Sequence, residues 1–172
     1  GPFTLRPEKM HSPFESLTRA IVYQQLSGRV ASIIHGRLVG LFPKRPGLTP
    51  QGILDCGTDE LRAVGMSRAK VAALQDLATK TLDGTVPTLA KLRKLDDAEI
   101  LSRLVQVRGI GPWTVEMLLI FRLGRPDVLP TSDLGVRKGF MLTYGTPELP
   151  NAKQITDQAD AWRPYRSVAS WY

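Results

Sequence analysis

Two stretches of this chain combine residue types that can do chemistry. The first is Val107-Arg108-Gly109-Ile110-Gly111-Pro112. Its two glycines give the backbone permissive positions in a tight reversal, Ile110 can anchor the turn to a core, and Pro112 pre-sets the next helix. A turn free of side chains beside helix N–H groups lets a phosphate approach closely and meet the positive end of the helix dipole. Such a contact docks a protein on a nucleic-acid backbone without reading sequence. Taken alone, a Gly-x-Gly is more often an ordinary loop between packed helices. The second stretch is Thr131-Ser132-Asp133, which brings a carboxylate to the start of a helix 24 residues after Gly109. Composition alone makes Asp133 a helix cap; across a cleft from the hairpin it can act as an acid-base or electrostatic group.

The elements that must position these residues read as helices. Ser12-Pro13-Phe14-Glu15 is a helix start with a capping box, and Phe14, Leu17 and Ile21 recur at helical spacing behind it. A second helix is expected from about Arg29 to Leu41, with Val30, Ile33, Ile34, Leu38 and Leu41 as its apolar stripe and Pro43 after its end. Thr49-Pro50 and Thr58-Asp59-Glu60 look like short helix starts, and Ser67 caps a longer helix over Arg68 to Thr81. Asp96-Asp97-Ala98-Glu99 opens the helix that runs into the glycine turn, and further helices are expected over Pro112 to Leu123, Asp133 to Thr143 and Asn151 to Trp162, with another start at Pro164. No period-two strand pattern is convincing, so the fold class is all-α.

Composition narrows the chemistry. Lys and Arg outnumber Asp and Glu by 23 to 16, a net charge of +7, which favours a polyanionic partner. Cys56 is the single cysteine, which excludes an intrachain disulfide, a cysteine-rich zinc site and a four-cysteine iron-sulfur cluster. A reducing setting, cytoplasmic and nucleoid-associated, is the expectation. No apolar run approaches the ~20 residues that span a bilayer, so no membrane partner is expected. His11 and His35 have no metal-ligand spacing with Cys56. Arg68 and Lys70 follow a minor turn at Gly65-Met66-Ser67, and Arg137 and Lys138 flank Asp133; all four are candidate phosphate contacts, although each alone is more simply a solvated charge.

Four segments together resemble the helix-hairpin-helix DNA glycosylases, specifically the bacterial 3-methyladenine DNA glycosylase II family and its yeast relatives. They are Ala20-Ile21-Val22-Tyr23-Gln24-Gln25-Leu26-Ser27, Gly109-Ile110-Gly111-Pro112-Trp113-Thr114, Leu129-Pro130-Thr131-Ser132-Asp133-Leu134-Gly135-Val136-Arg137-Lys138-Gly139 and Trp162-Arg163-Pro164-Tyr165-Arg166-Ser167. The resemblance implies a single glycosylase unit with two helical subdomains around a cleft, one of about 28–110 and one of 12–27 plus 111–172. It also implies that the chain stops inside the family's last helix and lacks an N-terminal β-rich domain found in some larger relatives.

By the same resemblance Asp133 is the catalytic aspartate in hydrolysis of the N-glycosidic bond to an alkylated purine in damaged double-stranded DNA, with the protein a monomer. Trp113 lines the lesion pocket, with Tyr23 a weaker candidate. Gln25, with Leu26 behind it, fills the gap left by the extruded nucleotide, and Gly109, Ile110, Gly111 and Thr114 contact DNA. Trp113 occupies the place of the lysine that gives some relatives lyase activity, and an indole forms no Schiff base. No cofactor is required for the chemistry; the hairpin carbonyls of Val105, Val107 and Ile110 are expected to hold a structural monovalent cation, Na or K. The competing reading is a noncatalytic helix-hairpin-helix DNA-binding protein in which Asp133 only caps a helix.

Overall fold

Side-chain caps set where most of the helices begin. In the computed structural model, which describes residues 10–44 and 47–172, α1 (Pro13–Tyr23) opens on Ser12, whose hydroxyl accepts the Glu15 N–H at 3.0 Å. The same device starts α2 (Gly28–Gly40) at Ser27, α3 (Pro50–Asp55) at Thr49 and α5 (Arg68–Leu82) at Ser67. It also starts α6 (Leu89–Leu92) at Thr88 and α7 (Asp97–Leu104) at Asp96. Each cap satisfies a backbone donor that the helix itself leaves orphaned. Between α3 and α5 lies the one-and-a-half-turn α4 (Thr58–Ala63). Beyond the glycine turn come α8 (Pro112–Phe121), α9 (Leu134–Tyr144), α10 (Ala152–Ala159), a 3₁₀ turn at Asp160–Trp162 and α11 (Arg166–Ala169). The fold is all-α, and no strand occurs among the described residues. Among the described residues no helix is long and apolar enough to cross a membrane.

The described chain divides into two units, residues 10–111 and 112–172. The sequence-based grouping placed 12–27 with the later unit; α1 instead packs against α5 and α2, so it belongs to the earlier one. Its core is built from fully buried Leu17, Ile21, Leu38, Ile53, Leu74, Leu77 and Leu104, each contributing on the order of 1.5–3 kcal/mol by leaving water. α2 turns differently from its expected stripe: Ala31, Ile34 and Leu38 are buried, whereas Val30 and Ile33 are 45% and 49% exposed.

In the later unit α8 is apolar nearly all round, with Val115, Leu118, Leu119 and Ile120 buried. α9 ends on Gly145, whose φ of +64° is the left-handed terminus that glycine accepts without strain. The loop leading from α8 towards α9 is latched by the C-terminal segment. Asp127 accepts two charge-assisted hydrogen bonds from Arg166, at 2.7 and 2.9 Å, and one from Arg163 at 3.0 Å. The Ser167 hydroxyl donates to the Arg125 carbonyl at 2.7 Å and accepts the Val128 N–H at 2.9 Å. The last resemblance segment is therefore a structural clasp, with Asp127 at its centre.

Candidate active site

In the earlier unit, α5 acts as a rail for two turns. Lys70, Ala73, Asp76 and Lys80 succeed one another at helical spacing, and the three charged residues each hold part of a turn. The Lys70 ammonium donates to the carbonyls of Val22 and Gln24 at 2.7 and 2.8 Å, closing the C-terminus of α1. Asp76 accepts the Arg108 N–H at 2.7 Å and pairs with Lys80 at 2.8 Å. Lys80 in turn donates to the Gln106 carbonyl. Burial works against ionisation of Asp76, but the Arg108 N–H and the Lys80 ammonium outweigh it and hold the carboxyl below its ordinary value. Sequence reasoning missed Asp76 and Lys80, and it assigned Lys70 to phosphate; the Lys70 head group is committed to the protein's own carbonyls. Arg68 is exposed.

The glycine turn after α7 is tight. The Val107 N–H bonds to Leu104 at 3.1 Å, and the Ile110 N–H bonds to Val107 at 3.0 Å. Gly109 has a φ of +78°, and a Cβ there would lie 3.3 Å from that of Ala73. Gly111 has neither a positive φ nor a neighbour within 4 Å of such a Cβ, so only the first glycine is needed for the reversal. Val107 and Ile110 are buried, while Val105, Arg108, Gly109 and Gly111 are exposed. The turn presents backbone outward and anchors itself through side chains.

The α1–α2 turn is tied to it directly: the Gln24 side-chain amide donates to the Gly109 carbonyl at 2.8 Å. The next residue, Gln25, is exposed and has a φ of +56°, the one positive-φ non-glycine among the described residues. Residues other than glycine populate that backbone region sparsely. Leu26 beside it is 38% exposed. Tyr23 is half-buried, its hydroxyl accepting from Arg19 at 2.7 Å, with the same guanidinium 4.0 Å from the ring centroid. His35 packs edge-on to Tyr23 at 6.2 Å, and burial, then the Arg19 charge, lower its basicity.

In the later unit, Asp133 is the N-cap of α9, its Oδ1 accepting the Val136 N–H at 3.0 Å. Its Oδ2 accepts the indole N–H of Trp113 at 2.7 Å. A Cβ on Gly135 would come within 3.0 Å of Oδ1, so glycine leaves the room in which the carboxylate sits. Asp133 lines a cavity of about 530 Å³ shared with Met117, Phe121, Phe140, Tyr144, Trp162 and Trp171, among others. Tyr144 and Trp162 stack at 6.5 Å between centroids, and Phe121 and the buried Phe140 also line the cavity.

Trp113 is 46% exposed and orients Asp133 rather than lining the cavity. Thr114 is buried, at 8% exposure. Arg137 is half-buried and donates to the Pro150 carbonyl at 2.9 Å, while Lys138 is exposed. One residue of α8 was missed altogether. Glu116 has an Oε2 atom shut from solvent with no hydrogen-bond partner, and burial, then the negative charge of Asp133, raise its carboxyl above the ordinary value. The signal was a single acid in the otherwise uncharged helix Pro112–Phe121.

An all-helical chain with a glycine turn of this kind, followed by a capped, indole-bound aspartate on an aromatic cavity, has the parts of a helix-hairpin-helix DNA repair protein. The chain belongs to the HhH-GPD superfamily of base excision DNA repair proteins, whose pattern matches residues 18–164. It is 36% identical to the DNA-3-methyladenine glycosylase 1 of Schizosaccharomyces pombe over 167 residues, 97% of this chain and 73% of that protein. Among solved structures it is similar to the S. pombe 3-methyladenine DNA glycosylase in complex with abasic DNA, with a TM-score of 0.83 and 35% identity, covering 99% of this chain and 84% of that one. A DNA-3-methyladenine glycosidase from Bacillus halodurans superposes with a TM-score of 0.83 at 32% identity, covering 96% and 75% of the two chains.

Proposed function

We propose that this protein is a monofunctional DNA glycosylase that hydrolyses the N-glycosidic bond of alkylated purines, such as 3-methyladenine or 7-methylguanine, in duplex DNA. The observation that carries the reading is Asp133, fixed by the Val136 N–H and the Trp113 indole on the wall of an aromatic cavity. A carboxylate held in that way stabilises the positive charge that develops on deoxyribose as the base departs, and it can orient or deprotonate the attacking water. The aromatic walls suit an extruded, electron-poor base. The strained Gln25 is the residue assigned to the gap that extrusion leaves, with Leu26 behind it.

The outward backbone of Gly109 to Gly111 is assigned to a DNA phosphate, with exposed Arg68 and Lys138 as secondary contacts. The carbonyls of Val105, Val107 and Ile110 are a neutral oxygen donor set whose chemistry suits Na or K, and Val107 spends one lone pair on the Ile110 N–H. Such a cation would brace the turn.

The competing reading, a noncatalytic DNA-binding protein, draws on the cap hydrogen bond that Asp133 makes to α9. Incubation of the protein with duplex DNA containing 7-methylguanine separates the two. Free base and alkali-sensitive abasic sites are expected, with no strand scission before alkali. Binding without base release would establish the noncatalytic reading, and scission through a borohydride-trappable adduct would contradict the monofunctional one.

A further inference from the structure

Glu116 is not explained by the fold. Its neighbours on α8 are Val115, Met117, Leu118 and Leu119, and an apolar side chain would fill the position without burying an acceptor. A buried acceptor without a donor is destabilising, so the group calls for a reason. Its place supplies one. Glu116 lies three residues after Trp113, which holds Asp133, and directly before Met117, which lines the same cavity as Asp133. Helical spacing puts Trp113, Glu116 and Met117 on one side of α8. The two carboxyls differ in their partners: both oxygens of Asp133 are engaged, whereas Glu116 has a bare, dry oxygen.

Resting on the glycosylase reading, we propose that Glu116 is a second electrostatic residue of the Asp133 site, whose carboxylate favours positive charge on the bound deoxyribose. In the free protein its ionisation is opposed by burial and by Asp133, the charged group whose field reaches it. Positive charge in the site offsets both and so favours the Glu116 carboxylate, which in turn favours that charge. A neutral ground state gains nothing from this, so the interaction is strongest where the glycosidic bond has broken with its electron pair on the departing base. Replacing an apolar residue by Glu116 therefore raises the cost of the resting site and lowers that of the charged one.

The test uses two duplexes that differ only in one nucleotide, a protonated pyrrolidine abasic analogue or the isosteric neutral tetrahydrofuran analogue. The ratio of the two Kd values is measured for wild type, Glu116→Gln and Glu116→Asp on single preparations, so that partial unfolding cancels. Wild type is expected to prefer the pyrrolidine duplex, Glu116→Gln to lose about tenfold of that preference, equivalent to ~1.4 kcal/mol, and Glu116→Asp to recover part of it. Single-turnover release of 7-methylguanine should fall in parallel for Glu116→Gln. An unchanged ratio in Glu116→Gln, or an equal loss in Glu116→Asp, overturns the inference while leaving the glycosylase reading intact. Failure of wild type to release base overturns that reading and this inference with it.

Discussion

The two turns carried by α5 and the aspartate that caps α9 use opposite parts of the polypeptide. Around Gly109 and Gln24 the working surface is backbone, and side chains are spent on holding it: Lys70 gathers the Val22 and Gln24 carbonyls, Asp76 takes the Arg108 N–H, and Gln24 ties one turn to the other. Around Asp133 the working group is a side chain, and a backbone N–H and an indole hold it. A backbone surface suits a partner whose phosphates are the same at every step, whereas a single oriented carboxylate suits one bond. Grip and chemistry should therefore be separable by mutation.

The largest effect on the grip is expected at Gly109. An alanine there takes a left-handed conformation costing roughly 1–2 kcal/mol and brings a methyl group against Ala73. Gly109→Ala should melt earlier and bind abasic duplex about tenfold more weakly in fluorescence anisotropy, on the order of the same free energy. Its single-turnover rate at saturating DNA should stay within about threefold of wild type, roughly 0.6 kcal/mol. Loss of rate with unchanged affinity would break the division of labour.

A smaller effect is expected in the clasp behind Asp133. The Arg166 hydrogen bonds, and to a lesser extent the charges of Arg166 and Arg163, hold the Asp127 carboxyl below its ordinary value. Its folded-state value is therefore depressed, so its contribution is present above about pH 4 and is lost as pH falls through the lowered value. Asp127→Asn should lower Tm at pH 7 by about 2–4 °C, with the difference from wild type shrinking as the pH falls below about 4. A constant difference across that range would show that the clasp does not depend on charge.

These partnerships also mark how far the sequence can be read. Helix starts were legible because Ser12, Thr49, Ser67 and Asp96 cap locally, within three residues of their partners. Asp133 and the glycine turn were legible as candidates for the same reason: residue type and local position define them. The rail on α5 was not, because Lys70 and Asp76 meet groups 48 and 32 residues away, and nothing in their own neighbourhood distinguishes them from solvated charges. Asp127 and Arg166 lie 39 residues apart and were obscured in the same way. The buried face of α2 was misassigned because Val30 and Ile33 fit the helical period as well as Ala31 and Ile34 do, and only packing decides between overlapping stripes. Glu116 left a trace, an isolated acid on an apolar helix, whose meaning depends on a neighbour 17 residues further along the chain.

The central claim, that Asp133 does chemistry while the glycine turn does docking, is tested most directly by Asp133→Asn. Single-turnover release of 7-methylguanine is measured alongside the Kd for an undamaged duplex of the same sequence. Asparagine keeps an oxygen for the Val136 N–H or the Trp113 indole and removes the charge, so the rate should fall by about 10²–10³ with the Kd within about twofold of wild type. Base release at the wild-type rate by Asp133→Asn would contradict the account.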